Sequence, residues 1–493
     1  MKLFTNAHFI SMSDPGETYC AMLTDCGKII KMYAEEPTNY HGAELIDLDG
    51  AWVYPGFIDT HTHSFEGGLY SLGVNLHQAK TLDDVFAALR ETKPIGGMIF
   101  AFHFDEHAIT EQRFPTAAEL DAIWPDTPLI LRRVDGHSCV INSIAARRIP
   151  WEEPLPADFD GYLFKRPNDA AANWFHLNLD DEGILQAYHQ AARAALQRGH
   201  TTIHTMIGNG RNNPEHYRLI EDNAANFPID FILYPQITDV PTALKLGASR
   251  IGGCILADGS FGSHTAALSE PYSDDPTTSG ELYESDEMWM NMIRQAHAAD
   301  LQVAVHCIGD RAIKQILRCY LQVQREHPKD LRHELIHNEL VDDGMLKDMA
   351  EARITAVMQP MFDRLWGGPG GLYETVLGKE RTRLTNRFAS IMAHGITCSG
   401  GSDWYVTELD ALAGIHAAMH HHNPAQQLSA HDAISLYTSR AARISHDENR
   451  IGTLQRGLDA DFVVLNSSIT EETDFSKIAI IHVFKRGTEI TVS

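Results

Sequence analysis

Two histidines one residue apart, His61-Thr62-His63, close an apolar run that begins Pro55-Gly56-Phe57-Ile58. In an extended strand, residues i and i+2 face the same side, so both imidazoles can reach one cation. Further along, His306 and His337 each end another short apolar run, and Asp403 follows Ser399-Gly400-Gly401-Ser402. Singly, an HxH pair or a strand-end histidine is as readily a hydrogen-bonded structural group. Together, imidazole nitrogens and a carboxylate make up the usual ligand set of catalytic zinc and similar ions, which keep a position open for water. The expected chemistry is hydrolysis by an activated water.

Such residues need a scaffold that brings distant strand ends to one rim. Eight short apolar segments, at 56–61, 201–204, 231–234, 254–258, 303–306, 334–337, 355–359 and 396–400, end in polar residues and alternate with helical patterns. Eight is the strand count of a closed parallel barrel, whose active sites form at the strand C-termini. Ile184, Tyr188, Ala192 and Leu196 recur on one helical face, as do Met288, Met292 and Ala296 after the N-terminal signal Ser285-Asp286-Glu287. A third helix is expected from Asp310. Both chain ends read as β structure, with Asp25-Cys26-Gly27 marking a hairpin turn. The stretch at about 65–195 is too long for one strand-to-helix connection and reads as an inserted subdomain, with strands expected at 98–102 and 129–131.

Composition narrows the function classes. The chain has 493 residues, 44% hydrophobic and 22% charged, an ordinary globular profile. Its formal net charge of −26 disfavours nucleic acid and anionic membranes as partners. The start shows no secretory pattern, and no stretch is long and apolar enough for a membrane span, so a soluble cytoplasmic protein is expected. Seven cysteines without a CxxC suit reduced thiols. Among 27 histidines, the run His420-His421-His422 reads as an exposed helix end.

Residues 55–63, 257–268, 306–313 and 401–403 resemble the amidohydrolase superfamily, and within it the branch that includes N-substituted formamide deformylase. Asp135-Gly136-His137-Ser138 with Asn142-Ser143, and residues 460–465, match as well, in the expected order across almost the whole chain. The resemblance implies an α/β fold, a (β/α)₈ TIM barrel with a small β-sandwich formed by both termini. The expected boundaries are 1–54 with 450–493 for the sandwich and 55–449 for the barrel, including the insertion. Carried over residue by residue, His61 and His63 fall on the first-strand ligands, His306 and His337 on the fifth- and sixth-strand ligands, and Asp403 on the eighth-strand carboxylate. One departure stands out: where many members carry a carboxylated, metal-bridging lysine four residues before the Asp-Gly-Ser block, this chain has Cys254. Lys245 is the nearest upstream lysine. A thiolate can ligate or bridge zinc, so Cys254 joins the expected ligands; the other reading is a small buried apolar residue beside a mononuclear site.

The expected activity is hydrolysis of a non-peptide, amide-type C–N bond of a small molecule, with one or two divalent ions, zinc foremost, and Asp403 as the catalytic base and acid. His137 and Asn142 are candidates for binding substrate, or for bracing a loop. His103 with Asp105, and His204, are weaker candidates, and Phe65 and Trp404 could wall a pocket. Ring deamination competes, although deaminases of the superfamily usually place a glutamate soon after the fifth-strand histidine, where this chain has Cys307-Ile308-Gly309-Asp310. A non-catalytic scaffold is a third reading, set against the retention of all five ligands. Homo-oligomer formation is left open.

Overall fold

The structure is a computed structural model that describes residues 1–38, 42–134, 138–208, 214 and 216–491. The chain divides into two units, Met1–His63 with Ala192–Ser493, and Ser64–Ala191.

In the first unit, eight short segments form the parallel strands of a barrel: β1 (Phe57–Thr62), β2 (His200–Ile207), β3 (Asp230–Pro235), β4 (Arg250–Ile251), β5 (Gln302–Cys307), β6 (Glu334–His337), β7 (Thr355–Met358) and β8 (Thr397–Gly400). Ladders join β1 to β2 and β3, and run unbroken from β4 to β8. Backbone bonds close the two remaining seams: Gly252 N donates to Pro235 O (3.1 Å), Asp403 N to His61 O (2.9 Å) and His63 N to Trp404 O (2.6 Å). Every residue of β1, β2, β5, β6 and β7 is buried. That explains why they read as continuous apolar runs: a parallel barrel strand is covered on both faces.

Helices pack outside. In α1 (Asp286–Ala298) the Ser285 hydroxyl caps Met288 N at 3.2 Å, and Trp289, Met292, Ile293 and Ala296 are buried. In α2 (Asp310–Glu326), Tyr320 reaches inward and donates towards Val303 O (3.2 Å) and Glu334 O (3.1 Å), clamping the starts of β5 and β6. No described helix is long and apolar enough to cross a membrane.

One strand differs from expectation. The fourth was placed at 254–258, whereas β4 ends at Ile251 and Cys254 lies beyond it. Gly252 and Gly253 sit at φ +99° and +68°, conformations that end the strand, and Leu256 rejoins the barrel only through an isolated bridge to His306. A Cβ on Gly252 would lie 2.1 Å from Ala304 O, so no side chain fits where this turn meets β5.

Both chain ends share one eight-stranded sheet, in which Lys2–Ile10 and Phe462–Leu465 flank Glu44–Pro55. Cys26 and Gly27, both at positive φ, make the tight turn between Asp25 and Lys28. The strand pairing joins both chain ends in one sheet, and an isolated bridge links Lys28, at its far edge, to Asp459. Inside, Phe4 meets Phe462 edge-on at 5.0 Å and Phe462 stacks on Phe484 at 4.4 Å. The Lys485 ammonium, paired within the sheet region by Asp461 (2.6 Å), ties it to the barrel floor through Asp230 (2.9 Å).

The second unit, Ser64–Ala191, carries a five-stranded sheet: Tyr162–Phe164, Ser138–Ile141, Leu129–Arg133, Ile99–Phe104 and Val74–Asn75. Its two long apolar strands were expected; the short ones carry too few residues to show a period.

Gly252→Ala is expected to destabilise the protein by about 2–3 kcal/mol, because it adds both positive-φ strain and a clash with the β5 backbone. Denaturant unfolding of variant and wild type checks this; equal midpoints would mean that the turn after β4 tolerates a side chain.

Candidate metal centre

The site forms where β1 and β8 close the barrel. Asp59, fully buried, accepts from His61 N (3.0 Å) and from Ser402 N (3.1 and 3.0 Å), so one carboxylate fixes both the first-strand histidine and the loop that carries Asp403. Gly401 allows the approach: a Cβ there would lie 2.8 Å from His61 N. Asp403 (φ 54°) and His337 (φ 67°) hold left-handed backbone conformations that are uncommon outside glycine, and which cluster at functional sites.

The donors converge. Asp403 Oδ1 lies 3.3 Å from His61 Nε2 and 3.2 Å from His63 Nε2. The His61 ring centroid is 5.3 Å from that of His337, and His306 and His337 are 4.5 Å apart. Cys254 Sγ lies 3.7 Å from His306 Nδ1. Three overlapping groups each place their donor atoms within 4.8 Å of one another: His61 with His63 and Cys254, Cys254 with His306 and His337, and His61 with His337 and Asp403. Cys254 is common to the first two. Lys245 is exposed on the helix Val240–Leu246, outside this set.

Partners behind the donors orient them. His337 Nδ1 donates to Gln359 Oε1 (2.7 Å), freeing Nε2 for the interior. His306 Nε2 donates to Gly259 O (3.1 Å), which leaves Nδ1 for Cys254. Asp258 locks the same corner by accepting from Ile308 N (3.0 Å), Gly309 N (2.8 Å) and Ala267 N (2.8 Å).

The electrostatics are those of charges crowded together out of water. Burial alone would raise the Cys254 thiol, but the charge of His61 and contacts with His306, His337 and His61 drag it well below the ordinary thiol range. Burial opposes protonation of His61 and His306, yet Cys254 and its anionic neighbours outweigh it and hold both at about 9. The Asp403 carboxyl, against its own burial, is held well below the usual range by His61, His63 and His337. His337 is lowered, by burial and by the charge of His306. Both ring nitrogens of His61 and Oδ1 of Asp403 are buried without an aligned hydrogen-bond partner among the described residues. Such orphaned groups are costly unless something between them accepts their lone pairs, and imidazole, thiolate and carboxylate are the donors a borderline-soft divalent cation takes. The residues present fit a metal.

Other candidates fall elsewhere. His137 lies outside the described residues. Asn142 belongs to the second unit and caps a helix: Oδ1 accepts from Leu129 N (3.0 Å) and Ala145 N (3.2 Å), and Nδ2 donates to Trp124 O and Thr127 O (both 2.8 Å). All four of its hydrogen-bonding positions are used, leaving none for a substrate. His103 is exposed in that unit, 3.2 Å from Asn75 Oδ1, and Phe65 packs there at 6.1 Å from Tyr188. His204 is buried in the barrel, 3.4 Å from the Tyr234 hydroxyl, which donates to Glu334 (2.7 Å). Trp404 contributes its carbonyl to barrel closure.

His420-His421-His422 is a partial correction. His420 is exposed as expected, but His421 is buried and packs with His422 against Asp363, a second group with donors at metal-like spacing. Asn423 N donates to His421 Nδ1 (2.9 Å), so the His421 proton sits on Nε2, 3.1 Å from Asp363 Oδ1. His422 N and Nδ1 also face that carboxylate. Nε2 of His421 and of His422 is buried without an aligned hydrogen-bond partner among the described residues, and the group sits on the turn after β7, whose Phe362 stacks on His337 at 5.7 Å. Sequence reasoning missed Asp59, Asp258 and Gln359 as positioning groups. Their signal was an acid or amide inside or at the end of an otherwise apolar strand, close to a ligand.

The amidohydrolase family pattern matches residues 44–490. The chain belongs to the amidohydrolase family. Among its relatives, the Bacillus subtilis (strain 168) protein YtcJ is 29% identical over 464 residues, covering 86% of this chain and 85% of its own. N-substituted formamide deformylase of Arthrobacter pascens is 23% identical over 477 residues, covering 86% and 85%. An uncharacterized metal-dependent hydrolase from Pyrococcus horikoshii OT3 superposes with a TM-score of 0.82 at 25% identity, over 97% of this chain and 99% of that one. The family pattern thus spans nearly the whole chain.

A proton balance follows for this amidohydrolase. With His61 and His306 held at about 9, protons must leave before a cation can bind at neutral pH. Metal affinity of the metal-free protein is therefore expected to climb from pH 7 towards 9, with proton release during uptake. Calorimetry in buffers of differing ionisation enthalpy checks it; pH-independent uptake without proton release would contradict the assignment of these donors.

Proposed function

We propose that the chain is a metal-dependent hydrolase of a non-peptide, amide-type C–N bond in a small molecule. The observation that carries this reading is the convergence of His61, His63, Cys254, His306, His337 and Asp403 in three overlapping donor groups, two of which share Cys254. Those six residues would hold the metal, proposed as zinc, with Cys254 at the position where many family members carry a carboxylated lysine. Family membership supports a hydrolase, and the deformylase relative acts, by its name, on an N-substituted formamide.

A divalent cation held there would supply Lewis acidity, making a water more acidic and a substrate carbonyl more electrophilic. Asp403 does the proton work. Its carboxylate is ionised at neutral pH, stands at the rim where β8 ends, and can take the water's proton and return it to the departing nitrogen. Asp59 and Gln359 keep the donors aimed while that proton moves. The competing ring deaminase would want a free acid just after His306. There, Ile308 N and Gly309 N bind Asp258, and the Asp310 carboxylate is engaged by Ser269 N (2.8 Å).

Asp403→Asn is expected to lower turnover of an amide substrate by about 10²- to 10⁴-fold, with at least one metal ion retained by the histidines. Steady-state rates and elemental analysis of the same samples check this, and near-normal turnover would remove Asp403 from the proton transfer. On a mixed panel, amine or carboxylate release from amides is expected, without ammonia release from nitrogen heterocycles. The reverse pattern would favour the deaminase.

A further inference from the structure

Contiguous large apolar side chains left in contact with solvent mark binding grooves. In the first unit, large apolar side chains in contact with solvent adjoin the proposed metal ligands and the loop 257–262 that follows Cys254. Leu256, 44% exposed, lies two residues beyond Cys254 and is bridged to His306. Tyr283, 40% exposed, hangs from Ala257 O by its amide (2.9 Å), and its hydroxyl would lie 2.7 Å from a Cβ on Gly259, the residue whose carbonyl receives His306. Leu372, 36% exposed, approaches Gly262 of the same loop, where a Cβ would lie 3.3 Å from it. Tyr405, 47% exposed, follows Asp403 and sets its ring 6.2 Å from that of His63. Beside His337, Phe362 stacks at 5.7 Å and Trp366 packs against Phe362 at a tilt, 4.7 Å away, and exposed Leu365 adjoins Trp366. Nearby guanidinium groups are directed elsewhere: Arg381 donates to the carbonyls of Leu377, Glu270 and Pro271, and Arg311 to that of Gly280.

From the positions of Cys254, His306, His337 and Asp403, then, the chain continues into solvent-facing apolar side chains. A small-molecule site typically combines such walls with a few fixed polar groups. Here the polar groups are the ligands themselves.

We propose that the substrate carries an uncharged apolar group of several carbons, an alkyl chain or an aromatic ring, next to its scissile C–N bond, seated on Leu256, Tyr283, Leu372 and Tyr405. This rests on reading the centre as an amide-hydrolysing site. The apolar seat selects the substrate by size and by exclusion of charge, while the ligand cluster supplies the chemistry.

The test uses full-length, zinc-loaded protein and two homologous series, N-alkylformamides and primary alkanamides, each from one to six alkyl carbons. In at least one series, kcat/KM is expected to rise about threefold to fourfold per methylene. That slope is expected to flatten in Leu372→Asn and in Tyr283→Asn, each taken forward only with a wild-type unfolding midpoint. Calorimetric binding of the same amides to zinc-free protein is expected to tighten along the same series. Turnover with flat slopes in both rate and binding would overturn the proposal and leave the hydrolase reading standing. Affinity that climbs with chain length without any turnover would support the apolar seat and count against the hydrolase reading. Loss of self-association in Leu372→Asn by sedimentation, with the slope unchanged, would make the patch a seat for a second copy and overturn the proposal.

Discussion

Buried imidazoles, a thiolate and a carboxylate within a few ångström of one another are not satisfied by mutual hydrogen bonds. His61 has no aligned partner at either ring nitrogen among the described residues, and Asp403 Oδ1 has none. In a low-dielectric interior such groups are tolerated when opposite charge is close, and the raised histidines and lowered Cys254 and Asp403 express that mutual dependence. The remainder of the barrel can be understood as the framework that keeps these groups from separating.

That framework couples folding to the site at its closing seam. The backbone bonds that join β8 to β1 are made by His61, His63, Asp403 and Trp404, so three of the candidate ligand residues also close the cylinder. Asp59 reinforces the seam from beneath, and Gly401 removes the Cβ that would wedge it open. On the opposite side, Gly252 and Gly253 turn the chain after β4 so that Cys254 faces the histidines instead of continuing a strand. The terminal sheet lies at the other end, fastened through Lys485 to Asp230 at the start of β3.

Much of this was legible because the chemistry is concentrated in strand ends. The period-two spacing of His61 and His63 was enough to aim both rings to one side. Other features depend on contacts a linear reading does not contain. The fourth strand was expected at 254–258 because Cys254-Ile255-Leu256-Ala257 is the apolar run there, whereas β4 itself, Arg250–Ile251 before the two positive-φ glycines, is too short to show a pattern. Asn142 matched a motif suited to substrate binding, yet its amide is saturated by backbone groups thirteen to eighteen positions upstream and by the first turn of its own helix. His421 looked like surface because its partner, Asp363, is more than fifty residues away. The short strands of the second unit gave no period to detect.

Cys254 belongs to two donor groups at once, and its role as a metal ligand is the part of the proposal that a single side chain decides. The most direct measurement is zinc-edge X-ray absorption with elemental analysis on the reconstituted protein and on Cys254→Ser. The account predicts two ions per chain with a sulfur neighbour in the wild type, and loss of the sulfur signal with at least one ion in the variant. A protein that takes up no metal, or whose metal neighbours contain no sulfur in the wild type, would contradict it.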